Sequence, residues 1–226
     1  MAASLAAVRA IEKQPARAVS RPRVWAIVGF AERALAAVLL AALLPVLVLL
    51  AVVVAALSRR TPFVALARAG RNGDCIWLLK LRTMWEGAEC VADSRFLVER
   101  IENAPVPEFK TGHDPRVTSP FAAFCRRYSI DEIPQLWHVV AGDMALVGPR
   151  PLTYPELSTY YGDDAREVLS VKPGLTGLWQ VRGRNSLTYR QRRELDLHLV
   201  RHRSLHLYVS VLARTLPAVL SGINAG

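Results

Sequence analysis

Hydrophobic positions are spread unevenly along this chain. A charge-free apolar run covers residues 34–57, and the remainder alternates short apolar stretches with basic segments rich in glycine and proline. As one straight helix the run would extend about 36 Å, enough to cross a bilayer. Pro45 falls near its midpoint. A proline there removes a helical hydrogen bond and crowds the carbonyl of Ala41, so it predicts a kink between two halves, each about 17 Å long and one leaflet deep. Arg9, Lys13, Arg17, Arg21, Arg23 and Arg33 precede the run; Arg59, Arg60, Arg68, Arg71 and Lys80 follow it. A helix that passes through should carry its basic excess on one side only. Basic flanks on both sides favour a re-entrant hairpin with both ends cytoplasmic, against the alternative of a single kinked span. The run is too long for the apolar core of a cleaved signal and starts behind a long arm, so it is expected to stay in the mature protein.

Residues 1–33 read as a basic, alanine-rich arm, partly interfacial, with a helix around 25–32. After the apolar run, Asn72-Gly73 predicts a turn opening an apolar strand over Cys75–Leu81. Residues 86–101 have mixed helical character, and the prolines and glycine of 104–120 predict loop. A short apolar helix is expected over 134–140, Gly148-Pro149-Arg150-Pro151 should stop regular structure, and the glycine-rich stretch 172–185 reads as another loop. Residues 187–203 and 205–220 are helical in pattern. The last of these is apolar but interrupted by Arg214 and Pro217, which favours a core or membrane-surface helix over a second crossing.

Lys and Arg outnumber Asp and Glu by 29 to 19, a net charge of +10 that calls for an anionic partner. Charge alone does not choose among phospholipid, nucleotide and nucleic acid. The three cysteines, Cys75, Cys90 and Cys125, show no CxxC spacing, so neither a disulfide framework nor a zinc site is expected, and a reducing compartment fits. A P-loop and a GxGxxG turn are both missing from the sequence. His198, His202 and His206 recur on one helical face, but without HExxH they read as a polar stripe rather than metal ligands.

The acidic couplet Asp131-Glu132 is the chief candidate for chemistry. Ser129 and Glu132 have capping-box spacing, and Asp131 could itself cap a helix that carries Pro134 in its first turn. A helix start also attracts phosphate and favours an ionised carboxylate, so cap and site can coincide. Cations surround the couplet in sequence: Arg126 and Arg127 upstream, Arg150 in GPRP, Lys80 and Arg82 in KLRTM, Arg182 and Arg184 in VRGRN. Arginine grips phosphate oxygens through paired hydrogen bonds, which suits a diphosphate.

Several blocks together resemble one family: Gly70-Arg71-Asn72-Gly73, Lys80-Leu81-Arg82-Thr83-Met84, Asp114-Pro115-Arg116-Val117-Thr118, the Ser129 to Leu136 segment, Gly142-Asp143-Met144, Val147 to Leu152 and Lys172 to Val181. They are similar to the bacterial sugar transferases, the monotopic polyprenol-phosphate phosphoglycosyl transferases, in the exopolysaccharide-initiating branch. The resemblance implies transfer of a sugar 1-phosphate from a UDP-sugar to undecaprenyl phosphate with release of UMP. It also implies a covalent phosphosugar on Asp131, assisted by Glu132 and requiring Mg²⁺ at Asp131. Lys80, Arg82, Arg126, Arg150 and Arg184 are the implied substrate-binding residues. Two departures stand out: Ala65-Leu66 replaces an Arg/Gln pair usual after the membrane segment, and Leu44 stands before the membrane proline where some members have serine.

The resulting expectation is an α+β, mainly α, monotopic membrane protein: a basic arm at 1–33, a re-entrant helix at 34–57, and a cytoplasmic catalytic domain at 58–226 flanked by interfacial amphipathic helices. It would sit at the inner membrane. Expected partners are UDP-sugar, undecaprenyl phosphate and membrane lipid, without nucleic acid; a homo-oligomer and downstream glycosyltransferases stay open. A membrane-tethered nucleic-acid regulator and a non-catalytic scaffold are the rival classes.

Overall fold

The computed structural model describes residues 22–85, 91–95, 97–101, 117–183 and 186–221. The arm before residue 22, most of the proline-rich loop and Arg184 lie outside them. The chain is mainly helical with some sheet. Its first described helix, α1 (Pro22–Ser58), stays helical through Pro45, so the helix expected near Trp25 is the beginning of α1 and no break marks residue 34.

Buried positions recur on α1 at Glu32, Ala36, Leu47 and Val54, a spacing that gathers them on one face. The opposite face is apolar and open, with Phe30, Val38, Leu49 and Val52 between 61% and 76% exposed. An apolar surface of that extent belongs against lipid or a partner rather than water. Among the described residues, α1 is the helix long and apolar enough to cross a membrane.

Strands β1 (Phe63–Ala69) and β2 (Cys75–Leu81) form an antiparallel hairpin in which Phe63 pairs with Leu81 and Ala69 with Cys75. Asn72 and Gly73 turn it with positive φ, as the Asn-Gly signal predicts. The mixed helical reading of 86–101 is corrected over 91–95 and 97–101; residues 86–90 and 96 lie outside those described. Two strands, β3 (Val91–Arg95) and β4 (Val98–Ile101), pair with each other, and β4 lies parallel to β1, giving the order β2-β1-β4-β3. The β4–β1 pairing joins residues distant in sequence, which a local helical pattern does not report.

Next come α2 (Pro120–Arg127), a 3₁₀ turn over Ile130–Gln135, and α3 (Leu136–Ala141). The stretch 172–185, expected as loop, contains β6 (Gly174–Thr176) and α6 (Leu178–Arg182). β6 pairs in parallel with β5 (Ala145–Val147). Gly148 is required here: a Cβ on it would lie 2.6 Å from the Lys172 carbonyl oxygen and 2.7 Å from the Gly174 nitrogen. This close approach fixes the loop that carries Arg150. Between β5 and β6, α4 (Tyr154–Glu156) opens with a Thr153 capping box and leads to α5 (Ala165–Val168). The long C-terminal helices are α7 (Tyr189–Arg201) and α8 (Leu205–Ser221).

Both halves of α1 pack on this one domain. Ala36, Leu40 and Leu43 meet Leu136 and Val139 of α3, whereas Leu50, Ala51 and Val54 meet Leu81 of β2 and Cys125 of α2. The Glu32 carboxylate accepts from the Leu146 N–H at 2.8 Å and from the Tyr208 hydroxyl at 2.5 Å, tying α1 to β5 and α8. On α8, Tyr208 and Val211 are buried while Val209, Leu216 and Leu220 are exposed, which makes it a packed helix with an apolar outer face.

Candidate active site

Asp131 and Glu132 sit where the chain turns sharply out of α2. Ser129 adopts the left-handed conformation, φ 55°, and its side chain makes no cap hydrogen bond, so the expected capping box does not form. A non-glycine residue held there is strained, a feature that gathers at functional sites. The turn directs Asp131 inward, to 6% exposure.

Lys80 reaches the couplet from β2. Its Nζ donates to Glu132 Oε1 at 2.7 Å and stands 3.7 Å from Asp131 Oδ2. One residue earlier, the Leu79 N–H donates to His138 Nε2 at 3.1 Å. Because Nε2 accepts, the ring proton resides on Nδ1, 3.3 Å from Asp143 Oδ2. His138 thus fastens the strand bearing Lys80 to the helix that follows the couplet. The sequence offered no signal for this role.

Burial pushes the Asp131 carboxyl up to about 6; Lys80 and Arg126 pull it down, and Glu132 pushes it up. The carboxyl is therefore mainly ionised at neutral pH, with less hydration than an exposed carboxylate would keep. That combination suits a nucleophile.

The couplet opens into a cavity of about 620 Å³. Lys80, Arg126 and Arg150 join Asp131 and Glu132 on its wall, so five of the seven site residues expected from sequence converge. Leu35 and Leu39 of α1 and Leu212, Leu216 and Val219 of α8 give it an apolar side. Arg82, also expected at the site, is only 1% exposed and donates to the Thr61 carbonyl at 2.7 Å, to the Thr61 hydroxyl at 2.9 Å and to Glu99 at 2.7 Å. β2 ends at Leu81, and Arg82 is not among the residues of the cavity wall. Arg184 is not among the described residues.

The wall also holds residues the sequence did not single out, among them Glu156, Tyr161, Tyr189 and Arg192. They come from α4, the turn after it and α7, which meet only through the fold. Trp179, which stands inside a recognised block, was the one signal pointing here.

The sequence model of one protein family, described as bacterial sugar transferase, matches residues 25–222. The chain belongs to the bacterial sugar transferase family. Among relatives of this chain, a UDP-galactose-lipid carrier transferase of Erwinia amylovora is 40% identical over 179 residues, 79% of this chain and 37% of that protein. The exopolysaccharide production protein ExoY of Sinorhizobium fredii is 40% identical over 157 residues, 67% of each chain. A UDP-glucose:undecaprenyl-phosphate glucose-1-phosphate transferase of Caulobacter vibrioides is 37% identical over 201 residues, 84% of this chain and 68% of that one. The chain thus spans about a third of the length of the first and two thirds of the others.

No group of three or more His, Cys, Asp or Glu side chains gathers for a metal among the described residues, His198, His202 and His206 included. What it offers is a pair of hard carboxylates on adjacent residues beside a cavity. Mg²⁺ commonly takes one or two carboxylates and completes its shell with water and substrate phosphates, so the donor set fits that ion.

Proposed function

We propose that this protein transfers a sugar 1-phosphate from a UDP-sugar to undecaprenyl phosphate, releasing UMP, through a covalent intermediate on Asp131. The observation that carries this reading is the buried Asp131 carboxylate, 3.7 Å from the Lys80 ammonium, on a cavity whose opposite side is built from apolar helices. The names of the Caulobacter and Erwinia relatives support the donor and acceptor classes.

In the first displacement an Asp131 oxygen attacks the sugar-bearing phosphorus of the donor; the bond to the other phosphate breaks and UMP departs with the electron pair. In the second, an oxygen of undecaprenyl phosphate attacks that phosphorus and the bond to Asp131 breaks, regenerating the carboxylate. Splitting one transfer between two bulky anions into two displacements is the gain from a covalent nucleophile. Lys80, Arg126 and Arg150 bind and orient phosphate oxygens. Glu132 accepts from the Lys80 ammonium at 2.7 Å, keeping it aimed at the attacked group. Asp131, with Glu132 beside it, would hold Mg²⁺, which would supply charge neutralisation at the diphosphate.

The packing of α1 bears on the membrane arrangement. A helix crossing the bilayer with the catalytic domain on one side would carry one half away from that domain, whereas here both halves pack on it. This supports a re-entrant anchor with both ends on the cytoplasmic face of the inner membrane, and a first membrane step in surface-polysaccharide assembly.

Protein incubated with UDP-sugar labelled in the sugar-bearing phosphate, with lipid omitted, should retain label through denaturing electrophoresis, and Asp131→Asn should abolish it. Label appearing only when undecaprenyl phosphate is present would instead mean a single ternary displacement.

A further inference from the structure

The cavity has a second cationic wall, remote in sequence from Asp131. Arg150, in the loop after β5, and Arg192, in α7, both lie over the indole of Trp179, with guanidinium carbons 5.5 Å and 4.8 Å from the ring centroid. Arg192 also stands 5.2 Å from the Tyr189 ring. All four residues line the cavity. The aromatic faces attract each guanidinium, yet two like charges sharing one ring repel each other across it.

Two carboxyls, Glu156 and Asp196, offset only part of that charge. Among the described residues no ion pair closes on either guanidinium. Glu156 accepts from the Thr153 N–H and hydroxyl at 2.8 Å and 2.9 Å. Asp196 accepts from the Tyr161 hydroxyl at 2.8 Å, and burial pushes its carboxyl up to about 7, so it carries only part of a charge at neutral pH. Burial and the neighbouring Arg150 both lower the Arg192 pKa.

Among the described residues, two buried donors here are without partners, Nε1 of Trp179, a residue only 4% exposed, and Nε of Arg192, as is one acceptor, Asp196 Oδ1. Buried N–H groups are rarely left so, and each costs stability until an acceptor arrives. The ligand this wall fits is an anion with several acceptor oxygens.

We propose that Arg150 and Arg192, over the floor of Trp179, form one phosphate seat used in turn by the UMP phosphate and by the phosphate of the lipid acceptor. This rests on the two-displacement reading above. In-line transfer requires entering and leaving oxygens on opposite sides of phosphorus. Asp131 takes one side in both half-reactions, so departing UMP and arriving lipid phosphate take the same opposite side. A forked guanidinium pair suits that duty because it grips phosphate oxygens and ignores what the phosphate is attached to.

The test uses the detergent-solubilised full chain, with dissociation constants for UMP and for farnesyl phosphate measured by titration calorimetry. In the unsubstituted protein the two ligands should exclude each other. Arg192→Gln should weaken both at least tenfold while the melting temperature is held or raised; Arg192→Lys, which restores charge without the fork, should recover only part of the loss. Weakening of one ligand alone would overturn the shared seat, and unchanged affinities for both would overturn the seat altogether. Failure of the unsubstituted protein to bind either ligand would sink the donor and acceptor reading itself. Covalent labelling at Asp131 with affinities untouched by Arg192→Gln would sink this inference only.

Discussion

Replacing Asp131 with asparagine removes one ionisation while keeping size and shape, and the structure gives the sign and size of the consequence. The carboxyl moves from an ordinary 3.8 to about 6. A carboxyl raised on folding binds its proton more tightly in the native state, so native stability falls as pH rises through that window and is level above it. At 1.36 kcal/mol per unit, ionised Asp131 costs the fold about 3 kcal/mol at neutral pH. Lys80 does not lose its partner in the variant, because Glu132 holds it at 2.7 Å. Asp131→Asn should therefore raise the melting temperature at pH 7.5 by roughly 6–12 °C, at about 2–4 °C per kcal/mol for a chain of this size. The gain should shrink toward zero near pH 4, where the native carboxyl is protonated too. Turnover should meanwhile fall by about 10⁴-fold or more, as expected when a nucleophile is removed. Melting curves from tryptophan fluorescence at pH 4, 5.5 and 7.5, alongside UMP release, test both halves. A variant less stable than its parent at pH 7.5, or a difference that ignores pH, would refute the account of a strained, dehydrated carboxylate; near-normal UMP release would refute the nucleophile.

Arg82→Ala should behave in the opposite way, because it leaves the half-buried Glu99 and Thr61 without their partner. The expected loss is about 3–5 kcal/mol of stability, with UMP affinity unchanged in whatever fraction stays folded; a stable variant that no longer binds UMP would return Arg82 to the site. For the anchor, Ala26→Cys and Arg60→Cys in a cysteine-free background should both resist an impermeant maleimide applied to intact cells and both react once the membrane is opened. Reaction at one flank from outside would make α1 a through-spanning helix.

Local patterns announced much of this molecule. The Asp131-Glu132 couplet, Lys80 and the GPRP arginine were legible because each stands in a short block of unusual composition, and β2, α7 and α8 followed from hydrophobic periodicity. What stayed hidden depends mainly on partners far along the chain. The β3–β4 hairpin is held in the sheet through the parallel pairing of β4 with β1. Arg82 reads like any basic residue beside a site until Glu99 is brought against it. Arg192 is one of several arginines on a polar helix, and only the fold sets it over Trp179.

Leu35 and Leu39 belong at once to α1 and to the cavity lining. The anchor is consequently not a detachable tether. Exchanging it for a foreign hydrophobic segment or an acyl chain would keep the protein at the bilayer yet remove one side of its reaction chamber. Any water-soluble version would have to rebuild that missing side with new polar-faced residues before it could retain a substrate.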